Sequence, residues 1–301
     1  MDDKAVAPAP AGGGLKRNLI LILGVLGAST SCLFVRWATA PPMLLAGYRM
    51  LLTALVMTPY MLAVCRDELK RVSRRQLLLC LAAGTSLGVH FTCYFSSLNH
   101  TSIAAAQTLA SGEVFCVALA SWLLWRERIN RAGIAAVLLI FGGGLLIGFS
   151  DAGAGAASPT ALLGDLLGLG AGLTMGAYTL IGRRLRRELS TGDYTYLVYC
   201  AAAVTLAVML LLGGQPLAGF GGINWLCALG MTVFCTLGGH TVYSWALKYF
   251  PAAHVSAVKL LDPLFSTGWG LLLWLEVPSL LTVVGCLVII GGTFIYIKTG
   301  N

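Results

Sequence analysis

The chain has 301 residues, of which 57% are hydrophobic and 11% are charged, and its mean hydropathy is +0.83. Soluble domains carry about 25% charged residues, so this composition excludes an ordinary soluble protein and indicates an integral membrane protein. The formal net charge of +8 would suit nucleic acid, but the placement of the basic residues described below favours anionic membrane lipid as the partner and gives no role to nucleic acid.

The first apolar segment follows a short polar tail. Residues 1–18 are rich in Ala, Pro and Gly, which predicts a disordered tail. Further along the chain, apolar segments recur that are long enough to cross a bilayer core about 30 Å thick as helices. There are ten, and they cover residues 19–37, 43–64, 77–98, 102–124, 132–150, 162–182, 194–212, 225–247, 252–274 and 279–297. The sequence therefore predicts an all-α integral membrane protein with ten transmembrane helices.

The loops between these segments differ in positive charge. If the N-terminus is cytoplasmic, 17 of the 20 Lys and Arg residues fall on the cytoplasmic side. The loops 151–161 and 213–224, which this topology places outside, contain none. Cytoplasmic loops of membrane proteins are enriched in Lys and Arg. The pattern predicts a multi-pass protein of the inner or plasma membrane with both termini in the cytoplasm.

The two halves of the sequence resemble each other when one is shifted by 149 residues. The shift aligns Tyr94 with Tyr243, Glu113 with Asp262, Trp125 with Trp274, and Gly142-Gly143 with Gly291-Gly292. Each half contains five helices, an odd number, so the second half must be inverted in the membrane. Inverted repeats are typical of secondary transporters, which bind substrate near the midplane between the halves. The sequence predicts one repeat over residues 19–150 and the other over 162–298.

Three stretches carry a resemblance to a known family. "PPMLLAGYRM" resembles the start of the family's second helix, "LASGEVFCVALASWLLWRERINRAGIAAVLLIFGGGLLI" its fourth and fifth helices, and "LLDPLFSTGWGLLLWLEVPSLLTVVGCLVIIGGTFI" its ninth and tenth. The chain is similar to EamA-type ten-helix transporters of the drug/metabolite transporter (DMT) superfamily. It departs from that pattern at Glu113-Val114, where a proline is common. The resemblance implies a transporter fold, with cargo that ranges in the family from amino acids to drugs, purines and sugar phosphates.

Charged residues inside the ninth segment need an explanation. Lys259 and Asp262 are three residues apart, on one face of a helix, and a charge at mid-bilayer costs about 2.5–3.5 kcal/mol on insertion scales. One interpretation is a structural salt bridge between the two. The other is a polar cavity in which Lys259 attracts an anionic group and Asp262 holds a cation or a proton. Glu113, the equivalent of Asp262 in the first half, is a second candidate for proton coupling.

Aromatic and histidine residues form a second symmetric set. His90 precedes Tyr94 by one turn, and His240 precedes Tyr243 by three residues, on equivalent helices. They are either satisfied core residues or the wall of a substrate pocket, to which Trp269 would add another ring. Arg49, inside the second segment, has three possible roles: it extends to the membrane surface, pairs with an acid such as Glu113, or binds a substrate carboxylate.

Transport fits these features better than catalysis. The sequence has no Walker A loop, HExxH, GxSxG or cysteine–histidine cluster at ligand spacing, so we expect neither an enzyme nor a cofactor or metal. Embedded residues of both charge signs favour a secondary transporter that exports amino acids or similar small polar metabolites, with protons as a candidate coupling ion. The alternatives are export of drugs or lipophilic cations, exchange of phosphorylated or nucleotide-type metabolites, and, in a different class, a channel or intramembrane enzyme. The sequence leaves open a monomer or a homodimer.

Overall fold

The computed structural model describes residues 14–101, 106, 109–126, 130–151, 160–275 and 277–299. Within these ranges the chain is helical and contains no strand. The helices are α1 (Gly14–Ser29), α2 (Ser31–Trp37), α3 (Pro42–Ala63), α4 (Arg66–Lys70), α5 (Arg74–Ser97), α6 (Glu113–Trp125), α7 (Arg131–Asp151), α8 (Ala161–Leu185), α9 (Thr191–Leu212), α10 (Gly222–Gly230), the π-helix Met231–His240, α11 (Thr241–Ala246), α12 (Ala252–Lys259), α13 (Asp262–Trp274) and α14 (Leu280–Thr299). Residues 1–13 of the predicted tail and residues 152–159 of a predicted outer loop lie outside the described residues.

The all-α membrane fold predicted from the sequence is confirmed. Six helical segments of the described chain have the length and apolar composition to cross a membrane, and shorter apolar helices cover Leu109–Trp125, Arg131–Leu146 and Leu280–Tyr296. Large apolar side chains such as Leu138, Leu166 and Val204 are exposed on the outer surface. Because lipid chains are as apolar as these residues, such a surface is stable only inside a bilayer.

Several predicted spans are interrupted helices. The first begins at Gly14, five residues before the predicted start, and its helix is interrupted at Thr30 between α1 and α2. The ninth is broken between Lys259 and Asp262, where Pro263 lacks the amide hydrogen that would continue the helix. The eighth is continuous but passes through the π-helix, a rare geometry that is frequent at functional sites.

The 149-residue repeat is visible in the backbone. Helices α6 and α13 are both 13 residues long and begin at the aligned residues Glu113 and Asp262. They are followed by Arg126 and Leu275, which adopt left-handed φ values of 54° and 55° and are the two non-glycine residues with positive φ in the described chain. Two half-helices with the same length and the same unusual ends therefore occupy equivalent places in the two halves.

The contacts between helices also correspond between the two halves. Helix α5 packs against α8 just as α1 packs against the π-helix, and α5 packs against α9 just as α3 packs against the π-helix. Helices α3 and α9, and α7 and α14, pack as pairs formed by one helix from each half. Small residues permit the closest approaches: a Cβ on Gly84 would lie 2.4 Å from the Val198 carbonyl oxygen, and one on Gly172 would lie 2.8 Å from that of Leu109. The two halves thus meet along a central interface.

Candidate functional site

A cavity of about 930 Å³ lies between the two halves of the chain. Its volume is in the upper part of the range for small-molecule sites, roughly 300–1,000 Å³. Its wall includes eight of the nine residues that the sequence selected as site candidates: Arg49, His90, Tyr94, Glu113, His240, Tyr243, Lys259 and Asp262. The cavity therefore brings together residues that are up to 213 positions apart in the sequence, between Arg49 and Asp262.

The cavity extends from the helix breaks toward one end of the helix bundle. At that end its wall includes Arg36, Leu98 and Val277, which adjoin the connections after α2, α5 and α13. Among the residues that the structure describes, the wall includes none from the connections at the opposite end, over 64–73, 186–190 and 247–251 and at residues 126 and 130. The structure is therefore open at one end and closed at the other, which is the form of one state of an alternating-access transporter.

Buried arginines lie at the closed end. Arg183, in the last turn of α8, donates from Nη1 to the Leu247 carbonyl oxygen at 2.9 Å. Arg186 donates from Nε to the Ser244 carbonyl oxygen at 3.0 Å and also donates to the Leu189 carbonyl oxygen. These bonds satisfy carbonyls at the end of α11 and join it to α8, so that the closed end is held by polar contacts as well as by packing.

Lys259 pairs with the acid of the other half, not with its neighbour in sequence. Its Nζ lies 2.5 Å from Glu113 Oε1, and Glu113 is 5% exposed. Its Nζ also lies 5.6 Å from the centre of the Tyr243 ring, within cation–π range. The structural salt bridge between Lys259 and Asp262, one of the two interpretations of the sequence, is therefore not observed. The physical reason is the helix break at residues 260–261, which removes the continuous turn on which the three-residue spacing depends.

Asp262 is the first residue of α13 and lines the cavity. Among the residues that the structure describes, no Lys, Arg or His lies within ion-pair distance of its carboxylate. The N-terminal end of a helix carries a partial positive charge that stabilises a nearby anion. Asp262 thus presents to the cavity a carboxyl group for which the described residues supply no cation, so that it is available for a ligand cation or a proton.

Arg49 is held within α3 by neighbouring polar groups. It is 4% exposed, its Nε donates to Thr236 Oγ1 at 2.6 Å, and its carbonyl oxygen accepts from Thr232 Oγ1 at 3.0 Å. Its Cζ lies 5.3 Å from the centre of the Phe91 ring. Two of the sequence-based interpretations are not observed, because Arg49 neither reaches the membrane surface nor pairs with Glu113. Binding a substrate carboxylate is the role that stays open.

The four aromatic and histidine candidates form a connected group with Phe91. His90 donates from Nδ1 to the Ala171 carbonyl oxygen at 2.9 Å and stacks with Tyr94 at 6.2 Å between ring centres. His240 contacts Phe91 at 6.1 Å and Tyr243 at 5.5 Å. Equivalent residues from the two halves therefore form neighbouring parts of one wall, with ring faces and polar atoms that suit a ligand with apolar and polar parts.

Trp269 has a different place from the one expected. It does not line the cavity, and its Nε1 donates to Ser29 Oγ at 2.9 Å. This contact joins α13 to α1. Trp269 contributes to helix packing because the turn of α13 directs it toward α1, whereas Ser266 and Thr267 of the same helix line the cavity.

Sequence reasoning did not identify several residues of the site. Phe91 and Ser256 line the cavity, and Thr236 supplies the hydrogen-bond partner of Arg49. Phe91 follows His90 directly in the sequence, so the choice of His90 as a candidate could have pointed to Phe91 as well. Thr236 and Ser256 carried none, because isolated hydroxyls are common in membrane helices and the π-helix has no clear pattern in the sequence.

Comparison with known proteins was made by sequence and by fold. The profile of the EamA-like transporter family matches residues 15–149 and again residues 162–298. The pseudopaline exporter CntI of Pseudomonas aeruginosa is 28% identical over 223 residues, which are 73% of this chain and 74% of that protein. An uncharacterized transporter of Archaeoglobus fulgidus is 24% identical over 93% of this chain and 96% of its own length.

Two further relatives cover most of the chain. The uncharacterized inner membrane transporter YhbE of Escherichia coli K12 is 25% identical over 90% of this chain and 89% of its own length. One crystal structure shares the fold with a TM-score of 0.80 and 20% sequence identity, over 95% of this chain and 98% of that one.

Among the described residues, no group of three or more His, Cys, Asp or Glu side chains is placed to hold a metal ion.

Proposed function

Because this chain belongs to the EamA-like transporter family and is a multi-pass membrane transporter, we propose that it exports amino acids or similar small polar metabolites by alternating access, in exchange for protons. The observation that carries this proposal is the cavity between the two halves, which is open at one end and lined by charged groups of both signs. A zwitterion needs both signs, and a midplane position between repeats is where secondary transporters bind their substrates.

Asp262 is the proposed coupling residue. Its carboxylate lines the cavity without a cation from the described chain, whereas Glu113 is already paired with Lys259. A proton and a substrate ammonium group would compete for this carboxylate. Since neither can bind while the other is present, the entry of a proton through the open cavity would release the substrate there, and exchange would follow from competition at one residue.

The direction of transport and the membrane are proposed from two relatives. One is named as an exporter of pseudopaline and another as an inner membrane transporter. The charge bias of the loops favours cytoplasmic termini, and in that orientation the open end of the cavity would face outward. Export across the inner or plasma membrane is consistent with this orientation, with lipid as the surrounding partner and either a monomer or a homodimer as the unit.

A second candidate cargo is a lipophilic cation. The unpaired Asp262 and the rings of Phe91, Tyr94 and Tyr243 would bind one without using Arg49. A phosphorylated metabolite fits less well, because Lys259 is engaged by Glu113 and Arg36 lies over the Trp274 ring at 4.3 Å. The two candidates can be distinguished, because a carboxylate on the ligand should improve binding if the cargo is a zwitterion but not if it is a lipophilic cation.

Transport by the purified protein tests the proposal. A thermal-shift screen with standard amino acids, related metabolites and lipophilic cations would identify a binder, and its uptake into proteoliposomes would be measured with and without an acidic lumen. We expect an amino acid or similar polar metabolite to bind, and the acidic lumen to accelerate its uptake. If only lipophilic cations bind, the proposed cargo is rejected. If uptake does not depend on the pH gradient, the proposed proton coupling is rejected.

Topology is tested separately on intact cells. In a cysteine-free background, Gln215→Cys lies in a loop predicted to be outside and Lys248→Cys in one predicted to be inside, and both native residues are exposed. A membrane-impermeant thiol reagent should label the first and spare the second. Labelling of Lys248→Cys with protection of Gln215→Cys would reverse the proposed orientation.

A further inference from the structure

The inner part of the cavity wall contains two buried nitrogen atoms without partners. Among the described residues, neither Arg49 Nη2 nor His240 Nδ1 has a hydrogen-bond partner. Both side chains line the cavity, and they are 4% and 8% exposed. Buried polar groups in proteins are almost always hydrogen-bonded, and a charged group without a partner is the most costly exception. We propose that Arg49 and His240 form a subsite for the carboxylate of the cargo, an inference that rests on the proposed transport function.

The surroundings of Arg49 hold its guanidinium in a fixed place. Thr236 engages Nε, Thr232 engages the carbonyl oxygen of the same residue, and the Phe91 ring lies beside Cζ. Among the described residues no carboxylate lies within ion-pair distance of this guanidinium. The protein thus keeps an oriented cation in the wall of a cavity and leaves it without a counter-ion, an arrangement that a ligand anion completes.

The π-helix carries both a partner of Arg49 and His240. The helix contributes both Thr236, which binds Arg49, and His240, its last residue. Arg49 and His240 also contact the same ring, because Phe91 lies 5.3 Å from Arg49 Cζ and 6.1 Å from the centre of the His240 ring. With Nδ1 protonated, His240 supplies a second donor in the part of the wall around the Phe91 ring.

Two donors, of which one is cationic, suit a carboxylate better than a phosphate. A carboxylate has two oxygens in one plane and a single negative charge, which Arg49 Nη2 and His240 Nδ1 can meet with one donor each. A phosphate group would carry about two charges and three oxygens, and the other cation in this part of the wall, Lys259, is bound to Glu113. The subsite therefore selects a monocarboxylate group.

Asp262 gives the cargo a direction. With its carboxylate at Arg49 and His240, an amino acid would direct its ammonium group to Asp262, and the aromatic wall would contact its side chain. Asp262 alone would select for an amine. Together with the subsite, it would require a cargo that carries both an amine and a carboxylate.

Ligands that lack one charged group provide the test. The standard amino acids would be assayed for binding to the purified full-length protein, followed by the decarboxylated amine and the deaminated acid of the tightest binder. We expect loss of the carboxylate to weaken binding to the wild type by on the order of 10- to 100-fold. In Arg49→Met the difference between the amino acid and its amine should fall to the smaller part that His240 supplies, and the amine should bind as it does to the wild type. Arg66→Met, which removes an exposed arginine, is the matched control and should keep the full difference.

A second variant keeps the test decisive if Arg49→Met does not fold. His240→Phe retains a ring of similar size and should reduce the carboxylate preference by about 3- to 10-fold. An equal loss on decarboxylation in the wild type and in the folded variants would overturn the subsite and leave the proposed transport intact. Binding of no standard amino acid to the wild type would reject the proposed cargo, and the subsite with it.

Discussion

The helix breaks before Glu113 and before Asp262 lie at equivalent positions in the two halves, but the two acids are placed differently. At the first break, Glu113 is 5% exposed and lies 2.5 Å from Lys259 of the other half. At the second, Asp262 lines the cavity and, within the described chain, has no cationic partner. The same backbone feature therefore supports an internal ion pair in one half and an available carboxylate in the other.

The difference arises from a single residue that has no counterpart. Lys259 aligns with Ala110 under the 149-residue shift, so the lysine occurs in the second half only. It crosses to Glu113 and neutralises that acid, which leaves Asp262 for the ligand. An inverted repeat supplies two equal acids, and one lysine makes them unequal. Asymmetric cargo would bind in one orientation for this reason.

The largest expected effect follows from breaking the ion pair. Lys259→Met leaves Glu113 buried without its counter-ion, and removing one partner of a buried pair costs about 3–5 kcal/mol. Thermal unfolding of the purified variant should show a strong loss of stability. The double variant Lys259→Met with Glu113→Leu removes both charges and should recover most of it. A single variant as stable as the wild type would show that the pair contributes nothing.

Removal of the charge at the second break should affect function and spare stability. Asp262→Asn keeps the size of the side chain and loses the charge, so the fold should persist while ligand ammonium binding falls by about 10- to 100-fold, the effect of one charged hydrogen bond. Binding measured by calorimetry, beside an unfolding curve, separates the two effects. Unchanged affinity in a folded Asp262→Asn protein would contradict the assigned role.

The smallest effect is expected at the aromatic wall. Tyr94→Phe removes the hydroxyl of a residue that lines the cavity and should weaken cargo binding by about 0.5–1.5 kcal/mol if that hydroxyl bonds the cargo. Tyr60→Phe, in an exposed part of α3, serves as the control and should have no effect. Equal affinities of the two variants would assign Tyr94 to packing alone.

Much of the fold could be predicted because membrane helices depend on length and apolar composition. The alignment of Glu113 with Asp262 marked equivalent positions in the two halves, but the spans predicted over residues 102–124 and 252–274 were continuous and included neither helix break. The partner of Lys259 could not be predicted in this way, since the three-residue rule applies to a continuous helix and Pro263 ends that continuity. The place of Trp269 depends on the turn of α13, which the break also sets.

The part of the site around Arg49 was harder to predict from the sequence. Arg49 was identifiable as an embedded charge, but its setting depends on Thr236 and on a π-helix that widens one segment by local geometry. Neither a lone threonine nor a π-helix gives a periodic signal. The contacts between halves that create this part join residues about 190 positions apart, and only the folded structure brings them together.

Uptake into proteoliposomes tests the central claim, the functional difference between the two acids, most directly. The wild type, Asp262→Asn and the Lys259→Met/Glu113→Leu double variant would be compared, each confirmed as folded, with and without an acidic lumen and with the amino acid that binds most tightly. The account predicts that the acidic lumen accelerates uptake by the wild type and by the double variant, whatever the absolute rate of the latter, and has no effect on Asp262→Asn. The account would be contradicted if the acidic lumen accelerated uptake by Asp262→Asn and had no effect on uptake by the double variant.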